Sequence, residues 1–557
     1  MKCLLLSLCL PLVLCITNAD DEKTVEVESP LGKIRGSLMQ SRLKRRIHSF
    51  RGVRYAEPPV GQERFKQAIP VKPWNETFDA SQEGPACPQP GIEHYSEDCL
   101  RLNIYTTQLP TADNAVSRPV IVYFHPGGFY GSSSQSFIDG PEYFMDQDIV
   151  LVTVNYRLAS LGFFSTGDSL APGNLGLKDQ VEALRWVQKN IATFGGDPNS
   201  VTIVGYSAGG WSVSLHMVSP MSKGLFHRAI AMSGSATYQN PLPTDQKHLA
   251  HKQAEILGCP TDTTGNMLIC LNTKTADEIA NSTRQFFEWH YDPILIWLPV
   301  VEPEVPGEER FLPDQPVNLI RQGKFNQVPL ITGVTKDEFG GRVVPAVEAA
   351  KAGNNSIFDD INANWSRIAP IIALYERDTA RSVSVSEELR QFYLKGKPAG
   401  LDNYRSLGEI WADGVIGFSV HRLAKLMAEF SSQPVYYYKF SYQGRYSHAT
   451  WDDKKPFGVV HHDDLLYLFN VSFFPYFEEN SPEIPTVERQ TTMWANFAKT
   501  GEPIPKDHKL FSNITWNKFT LSDNAYLDID NELTMKTGLY TERMNLWEKL
   551  FPINPLP

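Results

Sequence analysis

Ser207 stands in Gly205-Tyr206-Ser207-Ala208-Gly209, directly behind the β-branched run Val201-Thr202-Ile203-Val204 and ahead of the helix-forming stretch Trp211-Ser212-Val213-Ser214-Leu215-His216-Met217. A strand that turns through Gly-x-Ser-x-Gly into a helix lifts a serine hydroxyl out of the sheet. Glycine suits both ends of such a bend, because a side chain there would meet the neighbouring strand or helix. A serine hydroxyl is a poor nucleophile at neutral pH. It needs an imidazole to take its proton and a carboxylate to orient that imidazole. Ligands bind open parallel sheets beyond the carboxyl ends of the strands, so acid and base are sought just after later strands. Asp337-Glu338 follows the run that ends at Gly333, and His461-His462 follows Phe457-Gly458-Val459-Val460. The chemistry of the residues leaves the choice within each pair open. A negative oxygen formed by attack needs backbone donors, and His125-Pro126-Gly127-Gly128-Phe129 follows another strand-like run. Pro126 has no N–H, which leaves Gly127, Gly128 and the N–H of Ala208 as candidate donors for acyl transfer. An ordinary glycine turn is the rival reading. His248 and His251 lie one helical turn apart without a third ligand beside them, so a solvated helix face is the simpler reading and no metal is expected.

The elements that would hold these residues follow from periodicity. Val120-Ile121-Val122-Tyr123-Phe124 and Ile149-Val150-Leu151-Val152-Thr153-Val154 are near-continuous apolar runs, as buried parallel strands are. Leu177, Val181, Leu184, Val187 and Ile191 recur at steps of three and four, which is one face of a helix. Gly195-Gly196-Asp197-Pro198 then breaks the pattern before the strand that leads to Ser207. Strand, helix and strand at this spacing predict an α/β fold with a mainly parallel central sheet and helices on both faces. Further strands are expected at 229–232, 328–332 and 435–440. The helical, loop-rich stretches 240–325 and 345–430 are expected to cover one face of the sheet.

The chain has 557 residues, 42% of them hydrophobic, with 52 basic against 63 acidic side chains. No linker, repeat or low-complexity tract divides it, so one large domain is expected over 20–557. The acidic balance argues against a nucleic-acid partner, and Lys44-Arg45-Arg46 reads as a solvated face. Lys2, the apolar stretch Leu4–Cys15 and Thr17-Asn18-Ala19 read as an export leader over 1–19, too short to span a bilayer. The C-terminal Asn554-Pro555-Leu556-Pro557 has neither anchor tail nor retention signal. A secreted, extracellular protein without a membrane anchor is therefore expected. Beyond the leader stand Cys87, Cys99, Cys259 and Cys270. An exported chain favours disulfides for them, with three pairings possible. Sequons at Asn75, Asn281, Asn354, Asn364, Asn470 and Asn513 are glycosylation candidates.

Several blocks carry a resemblance. They include Phe50-Arg51-Gly52-Val53-Arg54-Tyr55-Ala56-Glu57-Pro58-Pro59-Val60-Gly61, Ser96-Glu97-Asp98-Cys99-Leu100-Arg101-Leu102-Asn103 and Gly173-Asn174-Leu175-Gly176-Leu177-Lys178-Asp179-Gln180. With Asn155-Tyr156-Arg157, Phe194-Gly195-Gly196-Asp197-Pro198 and Trp494-Ala495-Asn496-Phe497-Ala498 they extend over nearly the whole mature chain. The sequence resembles the type-B carboxylesterase and cholinesterase family, particularly exported insect carboxylesterases. That resemblance implies the α/β-hydrolase fold and a serine carboxylesterase without a cofactor. It implies Ser207 as nucleophile, Glu338 as acid and His461 as base, with Gly127, Gly128 and Ala208 as the oxyanion hole. It also implies the disulfides Cys87–Cys99 and Cys259–Cys270 and the ion pairs Arg64–Glu97 and Arg157–Asp179.

Departures from the family pattern narrow the substrate. Tyr206 stands where cholinesterases carry a glutamate, and the Cys87–Cys99 segment contains no tryptophan. Recognition of a quaternary ammonium relies on an aromatic face, so acetylcholine is not the expected substrate. Pro126 and Arg101 are further departures, neither of which removes a catalytic group. Phe286, Phe287, Trp289, Tyr291 and Trp297 crowd one region that either lines a pocket or is plain core. A lining role would favour lipophilic esters: hormone, pheromone, dietary or xenobiotic. A non-catalytic adhesion module on the same fold is the alternative from another class, and a lipase the neighbouring one.

Overall fold

The computed structural model describes residues 24–506, 508–511 and 513–553. The leader expected over 1–19 and the tail at 554–557 lie outside the described residues. One sheet of 13 strands organises the rest. Its first flank is antiparallel: Thr24–Ser29 (β1), Gly32–Gln40 (β2), Arg46–Arg54 (β3), the two-residue Phe78–Asp79 (β4) set parallel against β2, and Arg101–Thr106 (β5). The remaining strands are Arg118–Phe124 (β6), Val150–Val154 (β7), Gly196–Tyr206 (β8), Arg228–Met232 (β9), Leu330–Thr335 (β10), Val435–Phe440 (β11), Ala525–Ile529 (β12) and Leu533–Thr537 (β13). β7-β6-β8-β9-β10-β11-β12 lie side by side and parallel, and β13 closes the edge antiparallel to β12. The expected parallel centre is present, with the antiparallel flank and terminal hairpin added to it.

The central strands are largely apolar, β8 from Val201 onward, because both faces of the sheet are covered. Val120, Val122 and Phe124 of β6 point into one core, Ile121 and Tyr123 into the other, as the two-residue period of a strand demands. Leu175–Asn190 (α1), Ala208–Val218 (α2) and Phe418–Phe430 (α3) pack in the first core, and Ile484–Thr500 (α4) in the second. The core residues of stretches 240–325 and 345–430 join the first core and none the second. α1 is the expected helix shifted by a residue or two, with Leu177, Val181, Leu184 and Val187 fully buried. Gly195, at φ 80°, ends the turn after it.

Two guanidinium clamps tie the loops beneath α1. Arg157 is bonded through Nε and Nη2 to the Asp179 carboxylate at 2.8 and 2.7 Å, and its Nη1 donates to the carbonyls of Arg64 and Lys66. Arg64 in turn grips Glu97 at 2.6 and 2.7 Å and donates to the carbonyls of Leu271 and Lys274. Cys87 is bonded to Cys99 and Cys259 to Cys270. Both ion pairs and both disulfides match those the resemblance implied. Among the sequons, Asn75, Asn281, Asn354, Asn364 and Asn513 are exposed, whereas Asn470 is half-buried and its backbone bridges Gly140. No described helix is long and apolar enough to cross a membrane. Removing one partner of a buried ion pair strands the other charge. Arg157→Met is therefore expected to lower unfolding stability by about 3–5 kcal/mol, read from denaturant titration.

Candidate active site

The carboxyl ends of β8, β9 and β10 and the loop after β11 meet at one place. β8 ends at Tyr206, and Ser207 turns the chain into α2 at φ 55°, ψ −118°. Such a backbone costs a non-glycine residue about 1–3 kcal/mol and persists only where its surroundings enforce it. Here they do. A Cβ on Gly205 would lie 2.2 Å from the Gly209 carbonyl oxygen, and one on Gly209 would lie 2.0 Å from that of Phe124. Both glycines flanking the serine are thus required by close backbone approach. The Ser207 N–H donates to the carbonyl of Met232 at the end of β9.

Glu338 repeats the same twist after β10, at φ 34° and ψ −126°. Its Oε1 accepts from the Ser233 hydroxyl and the Thr335 N–H, both at 2.7 Å, and its Oε2 lies 2.6 Å from His461 Nδ1. The His461 N–H donates to the Glu338 carbonyl, so acid and imidazole are joined through backbone as well as side chains. Asp337, the adjacent acid, turns away and accepts from the Val459 N–H at 2.8 Å. His462, the adjacent histidine, packs its ring on Tyr206 and donates its N–H to the Tyr206 hydroxyl oxygen. Geometry separates both neighbouring pairs that chemistry alone left open.

His461 is buried, its ring stacked 4.2 Å from Phe339 and tilted against Tyr206 at 4.9 Å. Burial drives its pKa well below 6.5, helped by the nearby charges of His448 and Arg342. Burial also pushes Glu338 up to about 8, against the pull of hydrogen bonds from Ser233 and Thr335. Both shifts have one cause, the low-dielectric surroundings that disfavour charge. His461 Nε2 has no hydrogen-bond partner among the described residues. The Ser207 hydroxyl likewise makes no hydrogen bond among the described residues. Glutamate and imidazole are in contact; the link from hydroxyl to imidazole is not formed in this structure.

The glycine loop after β6 has Gly127 at φ 112° and Gly128 at φ 59°. A Cβ on Gly127 would lie 2.0 Å from the Gly131 carbonyl oxygen, so only glycine fits the turn. Ala208 opens α2, where first-turn N–H groups have no acceptor within the helix. His125, beside this loop, is held neutral by burial, down to about 4, and stacks on Tyr156.

A cavity of about 340 Å³ opens on Glu338 and His461 and is walled by Trp289, Tyr291, Phe339, Val343, Ile361 and Trp411. Two of the five aromatics singled out in the sequence, Trp289 and Tyr291, therefore line it. Phe286 and Trp297 are core, and Phe287 packs on Tyr130. A larger cavity of about 1170 Å³ lies elsewhere and touches neither Glu338 nor His461, and Ser207 lines neither cavity. Size alone is a poor guide to where chemistry lies. His248 and His251 are exposed, and no group of three or more metal-ligating side chains exists among the described residues. Ser233, Thr335 and Tyr206 were missed as supports of the site. Ser233 and Thr335 carried one usable signal, a hydroxyl residue closing a strand beside the serine turn.

A parallel sheet bearing a serine elbow and a buried glutamate–histidine pair at its strand ends defines an α/β-hydrolase. The carboxylesterase family model matches residues 21–547. Esterase FE4 of Myzus persicae is 36% identical over 519 residues, covering 90% of this chain and 89% of that protein. The juvenile hormone esterase of Tribolium castaneum is 34% identical, covering 88% and 85%. The crystal structure of juvenile hormone esterase from Manduca sexta, with OTFP covalently attached, superposes with a TM-score of 0.82 at 27% identity, over 95% of this chain and all of that one. The chain belongs to the carboxylesterase family and is a carboxylic ester hydrolase.

A general base must be neutral to work, and the His461 pKa lies below the ordinary histidine value. The acid limb of kcat/KM is therefore expected to inflect below pH 6.5, with activity lost as pH falls through that point. A pH–rate profile of the free enzyme with a soluble ester checks this. Ser233→Ala removes one donor to Glu338 and is expected to lower kcat roughly tenfold with little change in KM, as steady-state kinetics would show.

Proposed function

We propose that Ser207 is the nucleophile, His461 the general base and Glu338 its orienting acid in an acyl-enzyme mechanism. One observation carries the reading: His461 has Nδ1 fixed by Glu338 at 2.6 Å while its Nε2 is buried and unengaged. With Nδ1–H donated to Glu338 Oε2, Nε2 is the basic nitrogen. It takes the Ser207 proton as the hydroxyl attacks the ester carbonyl. Catalytic hydrogen bonds often tighten only when substrate is bound, which accommodates the unformed contact between Ser207 and His461. The N–H groups of Gly127, Gly128 and Ala208 receive the oxyanion, each worth roughly 3–4 kcal/mol of barrier. His461 then hands its proton to the departing alcohol. Water repeats the attack on the acyl-serine, and the acid leaves.

The substrate in this reading is a largely lipophilic ester, supported by the aromatic and aliphatic walls of the cavity. Acetylcholine is not the substrate in this reading, since the Cys87–Cys99 segment carries no tryptophan platform for a quaternary ammonium. Export to the extracellular space is supported by the expected leader and by two disulfides, which suit an oxidising compartment. We place 20–557 in one domain, supported by the single sheet and the cores on its two faces.

Hydrolysis of short nitrophenyl esters tests the assignment. Ser207→Ala and His461→Ala are expected to lose about 10⁶-fold in kcat, and Glu338→Gln nearer 10⁴-fold. A fluorophosphonate is expected to form one adduct, mapped by peptide mass to Ser207 and absent in Ser207→Ala. Full turnover by the alanine variant would end the proposal.

A further inference from the structure

The cavity that opens on His461 is not wholly apolar. Asp292 lines it and is 3% exposed. Its Oδ1 is buried without a partner, and its Oδ2 has only a long 3.4 Å contact with Trp411 Nε1. An orphaned carboxyl oxygen in a protein interior is costly unless something binds it. Arg342 lines the same cavity, four residues beyond Glu338. Its guanidinium rests over the Phe339 ring at 5.9 Å and makes no hydrogen bond or ion pair with any described residue. The two groups feel each other, since Arg342 draws the Asp292 pKa down against the upward push of burial. Yet they do not meet in an ion pair. The cavity beside His461 thus offers a buried, unfilled acceptor and a half-exposed guanidinium without a protein partner among the described residues.

A group that fills both must donate to Asp292 and accept from Arg342. A hydroxyl or a carboxamide does both. A carboxylate would satisfy Arg342 but face the Asp292 oxygen, and a methyl group would satisfy neither. We infer that Asp292 and Arg342 select esters whose otherwise apolar chain carries a neutral hydroxyl or carboxamide group, held between these two side chains. The inference rests on the esterase site proposed above and names its substrate class.

The test compares kcat/KM for paired esters. On the acyl side they are 4-nitrophenyl hexanoate, its 6-hydroxyhexanoate analogue and the 4-nitrophenyl monoester of adipate. On the alcohol side they are hexyl butanoate and 6-hydroxyhexyl butanoate. The wild-type enzyme is expected to favour the hydroxylated member of at least one pair roughly tenfold or more, the effect of a hydrogen bond to a charged partner. Arg342→Met loses no hydrogen bond within the protein, and with it the ratio is expected to fall towards one. Asp292→Leu provides the second variant, with the same expectation. Ratios near one in the wild type for both pairs would overturn the inference and leave the wall hydrated. So would preference for the adipate monoester, which would make Arg342 a simple anion site. If no ester of either pair is turned over, the esterase assignment itself fails, a result distinct from turnover without discrimination.

Discussion

The contact between Glu338 Oε2 and His461 Nδ1 spans 123 residues of chain and is the bond on which the site depends. Neither residue reaches the other by local structure. β10 and β11 must pair in register, so that the chain leaving β10 turns at Glu338 just where the loop after β11 returns through Val460. The sheet is a positioning device, and its parallel order places the ends of β8, β9, β10 and β11 on one edge. Burial of the pair then sets the imidazole to its neutral form. Packing and electrostatics therefore have a common origin here.

Left-handed backbone recurs at the proposed site, as it does elsewhere in the chain. Ser207, Ser233, Glu338 and His462 all have positive φ without being glycine. Ser207 and Glu338 have nearly the same φ and ψ, each throwing its side chain off a strand end just before a helical turn. The surrounding glycines make this possible: a Cβ on Gly234 would lie 2.1 Å from the Ser207 carbonyl oxygen. Two unrelated side-chain roles are thus served by one backbone solution.

Much of this was legible in the sequence, and what was not had physical reasons. The run Val435–Phe440 is a strand over its whole length, apolar and aromatic but for the half-buried Lys439, as a strand covered on both faces is. The flank β1 to β3 carries no such signal; Thr24–Ser29 alternates charged and apolar residues on a half-exposed edge. Asp337 and Glu338 could not be separated from composition, since they differ only in which side of a twisted backbone they leave. Family resemblance supplied that choice. Asp292 and Arg342 escaped for a related cause. Nothing in Tyr291-Asp292-Pro293 or Gly341-Arg342-Val343 announces that two loops, distant in the chain, will share a cavity wall.

Arg64 connects more than its ion pair suggests. One end of its fork grips Glu97, two residues from Cys99, and the other grips the carbonyls of Leu271 and Lys274, just past Cys270. The two sulfur-closed loops are thereby bolted together by a single side chain. Slack introduced in one by chemical reduction would be felt in the other. The guanidinium of Arg64 is the hydrogen-bonded bridge between the segments that the two crosslinks close.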